Sequence, residues 1–177
     1  MILSPGFEET EAITVIDILR RASIPTTTAS LTDNLAVMGS HAITIMADVL
    51  FNKHDTSIYN VLVLPGGLQG VENMLSLPAV LELVCRIVQQ DGILAAVCAA
   101  PLVLDACGLL AGQTFTCHPT VTHRLSSMEN RIDVPVVRSG RLVTGRSAGC
   151  ALVWAIALVE HLIDNVPKPF YQGLCCP

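Results

Sequence analysis

Aromatic side chains are scarce in this chain, with four Phe, two Tyr and one Trp among 177 residues, or 4% of the sequence. Since 51% of the residues are hydrophobic, the core they build must be aliphatic, and the length fits one domain able to bury such a core without staples. Charge is also sparse, at 14% of residues with a net −5, and no basic cluster occurs. A nucleic-acid surface is therefore not expected. No apolar run is long enough to span a bilayer; the stretch from Ala151 to Val159 stops at Glu160-His161. The N-terminus has no charged signal-peptide opening, so the expectation is a cytoplasmic protein with no membrane partner.

The seven cysteines are odd in number and scattered, with no Cys-x-x-Cys. That pattern predicts neither a disulfide scaffold nor structural zinc, and Cys117-His118 alone does not make a metal site. Cys175 and Cys176 are adjacent, a poor geometry for pairing with each other.

Alternation of short apolar runs with helical spacing runs along the chain. Strands are predicted at Met1–Leu3, Ile24–Leu31, Tyr59–Leu64, Ile93–Val97 and Thr114–Cys117. Hairpins are predicted for Leu35–Met38 with Ala42–Met46, and for Val134–Val137 with Arg141–Thr144. Helices are predicted for Glu9–Arg21, from Pro78 to Gln90, after Cys98, and for Ser147–Ile163. The Glu9–Arg21 segment opens acidic and closes basic, as the helix dipole favours. Its Val15 and Ile18 exceed what a one-sided surface helix needs, and are expected to face a second copy of the chain. Together this is an α/β protein, a mostly parallel sheet with helices on both faces. In such sheets the ligand crevice lies beyond the carboxyl ends of the strands. Leu3, Leu64-Pro65-Gly66-Gly67 and Val97-Cys98 all lie at such ends.

Cys98 is the first candidate for chemistry. It follows the apolar Ile93–Val97 and precedes Ala99-Ala100-Pro101, the strand–turn–helix arrangement of a nucleophile elbow. A helix N-terminus aimed at the sulfur favours the thiolate, so a lowered thiol pKa is expected. The alternative is a small, packed core residue. Gly66 and Gly67 either make a turn or present backbone N–H groups to an oxyanion. Glu11 either matches the helix dipole or points into the crevice beside Cys98, where it can hydrogen-bond the sulfur when protonated or act as a base when ionised. His118 is either a general base or a capping residue before Pro119.

Five segments carry a resemblance: Gly6-Phe7-Glu8-Glu9-Thr10-Glu11-Ala12, Ile16-Asp17-Ile18-Leu19-Arg20-Arg21, Val63-Leu64-Pro65-Gly66-Gly67, Ala95-Ala96-Val97-Cys98-Ala99-Ala100-Pro101, and Thr144-Gly145-Arg146-Ser147-Ala148-Gly149. In this order they resemble the ThiJ/PfpI superfamily, and within it the branch of the parkinsonism-associated deglycase and its bacterial YajL-like relatives. The likeness covers residues 1–163 of what reads as a single domain over 1–177. It implies a flavodoxin-like three-layer sandwich and a homodimer. It also implies Cys98 as the reactive cysteine, Glu11 as its protonated partner, and Gly66, Gly67 and Ala99 on the oxyanion side, with His118 nearby. No cofactor is implied. The implied activity is glyoxalase or deglycase chemistry on a small-molecule carbonyl such as methylglyoxal, or on early glycation adducts. The alternative is a redox sensor or redox-regulated chaperone in which Cys98 oxidises to sulfinate. Peptidase members carry His directly after the nucleophile, where this chain has Ala99, so peptidase activity is not expected. The first strand reads as clipped relative to family chains. Segment 164–177 is atypical, because Pro167 and Pro169 are expected to break up a helix there.

Overall fold

The computed structural model describes residues 1–175. In chain order the elements are β1 (Ile2–Leu3), α1 (Glu9–Arg21), β2 (Ala29–Ser30), β3 (Ala36–Met38), β4 (Thr44–Met46), β5 (Val49–Leu50), β6 (Val61–Leu64), α2 (Leu68–Leu75), α3 (Pro78–Gln89), β7 (Ile93–Val97), α4 (Pro101–Ala106), β8 (Val136–Ser139), β9 (Leu142–Gly145), α5 (Ala151–Leu162) and α6 (Lys168–Leu174). Strands β1, β2 and β5 form one parallel ladder. Strands β6, β7 and β9 form a second, with β8 added antiparallel at its edge. β1 lies alongside β6, so the two ladders make one layer. The β3–β4 hairpin stands apart.

The period-2 alternation of a strand sorts the core into two halves. Leu62, Leu64, Leu94, Ala96 and Leu142 face α2, α3 and α4, and pack with Val71, Val80, Val84, Ile87 and Leu104. Val63, Ala95, Val97 and Val143 face the other way, onto α1 and α5. This is the α/β three-layer sandwich expected from the sequence. Trp154 of α5 is fully buried, and its indole N–H donates to the carbonyl of Val143 at 3.1 Å. Gly145 makes room for it, since a Cβ there would lie 2.7 Å from the indole ring.

Several expectations shift in detail. Only Ala29–Ser30 of the Ile24–Leu31 strand pairs, because Thr26 and Thr28 turn their hydroxyls to the carbonyl of Ile24 and the carboxylate of Asp48. Thr114–Cys117 makes a single bridge, Phe115 to Arg131. Its Thr116 N–H is satisfied by the Thr144 hydroxyl instead of a neighbouring strand. The Ser147–Ile163 helix opens with a 3₁₀ turn over Ala148–Cys150. The tail is a correction. Lys168–Leu174 is helical, because Pro167 is its N-cap and Pro169 falls in the first turn, where a missing N–H costs nothing. Val15 and Ile18 also depart from expectation, since both are buried within the chain in the core under α5. The exposed apolar residue of α1 is Ile13, at 46%. The expectation that Cys175 does not pair with Cys176 involves a residue outside those described.

One long-range contact joins the hairpin to the site layer. The Glu9 carboxylate is buried and accepts from the backbone N–H of His41 at 2.5 Å and from the Ser40 hydroxyl at 3.0 Å, with the His41 ring at 2.9 Å. Burial alone would raise this carboxyl, but the bonds from His41 and Ser40 outweigh it and hold Glu9 down at about 2. Glu9→Ala removes the buried charged acceptor that holds the exposed Ser40 and His41 in place, at an expected cost of about 1–3 kcal/mol in chemical denaturation. An unchanged unfolding midpoint would contradict that cost.

Candidate functional site

Three strand ends converge, at β1, β6 and β7. β7 ends in Cys98, whose φ of +61° places a non-glycine residue in the left-handed region. Its N–H donates to the carbonyl of Gly145 at 3.0 Å, and its own carbonyl accepts from the N–H of His118 at 2.8 Å. The chain thus overdetermines a strained turn and leaves the half-buried side chain at its apex.

After β6, Gly66 and Gly67 bring the backbone against the loop that follows β1. Gly67 has φ +88°, and a Cβ there would collide with the backbone of Gly6. The Gly66 carbonyl accepts from the N–H of Glu8 at 3.0 Å. A Cβ on Gly66 would lie 2.5 Å from Glu11 Oε2 and 2.6 Å from Cys98 Cβ. Glycine at 66 is therefore what allows the carboxyl and the thiol to meet.

Glu11 is fully buried at the start of α1. Oε2 accepts from the Gly66 N–H at 2.8 Å, and Oε1 has no protein partner with ordinary hydrogen-bond geometry. Its own N–H is capped by Glu8 Oε2 at 2.7 Å. Burial pushes the Glu11 carboxyl up to about 7; the Gly66 N–H acts against this and the Glu8 charge adds to it. Cys98 does not show the lowered pKa expected of a helix N-terminus. Burial and then a negative charge on Glu11 push the thiol well above its ordinary range, and only the N–H groups of Gly67 and Ala99 pull it down. A carboxylate beside a buried sulfur outweighs two backbone dipoles. A charge on Glu11 raises the thiol, so the two protons are lost in steps that belong to the pair.

The remaining candidates divide. Gly67 and Ala99 direct N–H groups at the sulfur. The Gly66 N–H is engaged by Glu11 and positions that carboxyl. His118 is tied to the elbow through its backbone, whereas its ring caps the 3₁₀ turn that follows. Nδ1 lies 2.7 Å from the Thr120 hydroxyl and accepts from the Thr120 N–H at 3.3 Å. Of the two roles open to it, the capping one is what its ring occupies here.

Glu8 is legible in the sequence only as a dipole-matched residue, because Glu is not among the side chains preferred at the N-cap it occupies. Glu8, Glu9 and His41 also bring ligand atoms within 4.8 Å of one another. Glu8 is engaged with the Glu11 N–H and Glu9 with His41 and Ser40, so the cluster is accounted for without an ion.

This elbow, buried acid and glycine turn on a three-layer α/β sandwich define a cysteine-centred α/β site. The chain belongs to the DJ-1/PfpI family, whose sequence pattern matches residues 1–161. It is 36% identical to the Drosophila melanogaster protein dj-1beta over 163 residues, covering 92% of this chain and 87% of that one. The crystal structure of Drosophila DJ-1beta superposes with a TM-score of 0.90, covering 99% of this chain and 96% of that chain. The chain is 30% identical to the Caenorhabditis elegans protein named glutathione-independent glyoxalase DJR-1.2, covering 88% of this chain and 82% of that one. It spans only 36% of Arabidopsis thaliana DJ-1 homolog B, at 34% identity. Among the described residues no helix is long and apolar enough to cross a membrane.

Proposed function

We propose that this protein is a glyoxalase or deglycase-type enzyme in which Cys98 attacks the aldehyde carbon of a 2-oxoaldehyde such as methylglyoxal. The observation that carries the reading is the meeting of Glu11 and Cys98 across Gly66. Membership of a family with a glyoxalase-named relative supports it. The first step forms the carbon–sulfur bond, and the carbonyl oxygen takes up a proton to give a hemithioacetal. Glu11 then takes the proton from the former aldehyde carbon, and a proton is returned to the neighbouring carbon as its ketone becomes an alcohol. The product is a thioester of lactate on Cys98. Water cleaves it, releasing lactate and restoring the thiol, so that methylglyoxal plus water becomes lactic acid with no net oxidation. The N–H groups of Gly67 and Ala99 stabilise the sulfur anion as Cys98 attacks, and Gly66 fixes Glu11. Oε1 of Glu11, buried and unpartnered, is the atom that moves the proton.

A panel of methylglyoxal, glyoxal, a glycated thiol and a peptide amide tests this reading. Many lactate molecules per protein chain, with none of the amide cleaved, is the expected result. Stoichiometric peroxide uptake at Cys98 without any turnover overturns it in favour of redox sensing.

A homodimer is part of the same proposal. Its support is the apolar surface left uncovered at Ile13 of α1 and at Met38 and Met46 of the β3–β4 hairpin, exposed at 46%, 58% and 64%. Sedimentation at micromolar concentration is expected to give the mass of two chains; a single-chain mass contradicts it.

A further inference from the structure

A second pair of sulfurs lies away from the Cys98 elbow, where α3 packs beside α4. Cys85 is exposed on α3, and Cys107 is half-buried at the C-terminal cap of α4. Cys107 Sγ lies 3.9 Å from the carbonyl of Leu81. Leu81 is one helical turn before Cys85, so its carbonyl points along α3 toward that residue. Cys107 Sγ thus sits beside the turn of α3 that ends in Cys85.

We propose that Cys85 and Cys107 form a dithiol site that peroxides oxidise to an intramolecular disulfide, independent of the chemistry at Cys98. Exposure makes Cys85 the sulfur that peroxide reaches. It attacks one peroxide oxygen, the O–O bond breaks, and one water leaves behind a sulfenic acid. Cys107 then attacks the Cys85 sulfur; the S–O bond breaks, the S–S bond forms and a second water leaves. Two thiols lose two electrons and two protons, and one hydrogen peroxide is reduced to two waters. Burial, and then the neighbouring Cys85, push the Cys107 thiol up to about 11, which leaves first contact with oxidant to Cys85 and makes the second step the slower one. The ring so closed spans 85–107 and encloses β7 and the elbow. The disulfide would thus fasten α3 to the end of the helix that begins just after Cys98.

Non-reducing peptide mapping after limited peroxide tests the proposal, run on the full chain carrying Cys98→Ser so that the elbow thiol does not consume oxidant. The expected result is a linked peptide joining Cys85 to Cys107, lighter by two hydrogens and reopened by dithiothreitol. Cys85→Ser and Cys107→Ser, each on that background, are expected to lack the link. Recovery of Cys107 as a free alkylatable thiol beside a Cys85 sulfinate overturns the proposal. A disulfide joining two chains, or Cys85 to any other cysteine, overturns it equally.

Discussion

Cys98→Ser is expected to lower kcat/KM for methylglyoxal by about 10³-fold or more, while the circular dichroism spectrum and unfolding midpoint stay close to wild type. A serine hydroxyl is far less acidic than a thiol, and the N–H groups of Gly67 and Ala99 cannot offset that difference. The substitution removes little volume, and the strained φ of +61° is set by bonds from Gly145 and His118 that serine keeps. Loss of turnover with an intact fold therefore isolates the sulfur. A Cys98→Ser protein that forms lactate within a few-fold of the wild-type rate would show that the chemistry lies elsewhere.

The second large effect is at Glu11. Were its carboxyl only matched to the helix dipole, Glu11→Gln would change stability by about 0.3–1 kcal/mol and leave turnover nearly intact. The proposed proton transfer cannot be performed by an amide, so the expected loss is at least about 10²-fold in kcat. Stability moves in a direction that separates the two roles further. The folded-state pKa of Glu11 is raised from 4.5 to about 7, so between these values the folded chain holds a proton that the unfolded chain has released. Wild-type stability from this group is therefore present below the lower value and is lost as pH rises toward the upper one. Glu11→Gln removes that slope. Denaturation midpoints at several pH values across the window check it; parallel curves for both proteins would place Glu11 outside the buried, proton-holding role.

The parts of the site that follow local grammar were readable in the sequence. An apolar strand ending in Cys98 and small residues, another ending in Pro65-Gly66-Gly67, and an acidic helix start each announce themselves within a few residues. That Glu11 meets Cys98 depends on strand order, which local pattern does not encode; the residues left it as one of two alternatives, and the family resemblance favoured it. The part of Gly66 was only half visible, because a glycine turn is legible but the carboxyl that claims its N–H is on another element. His118 looked the same as base or cap until the Thr120 contacts were seen. The direction of the Cys98 shift was misread because the helix dipole was weighed without the burial and the charged Glu11 that oppose it. Pairing of Glu9 with Ser40 and His41, and the approach of Cys107 to the turn of α3 before Cys85, join segments with no shared motif. Strands of only two residues, β2 and β5, fall below what alternation can resolve.

The mechanism requires the Glu11 carboxyl and the Cys98 thiol to lose their protons as a coupled pair. Its most direct test is the rate of iodoacetamide labelling at Cys98, followed by peptide mass across pH, in wild type and Glu11→Gln. The prediction is a wild-type rate that rises through an inflection near 7, where the pair loses its first proton, and a Glu11→Gln profile from which that inflection is gone. Superimposable profiles for the two proteins would contradict that coupling and the mechanism built on it.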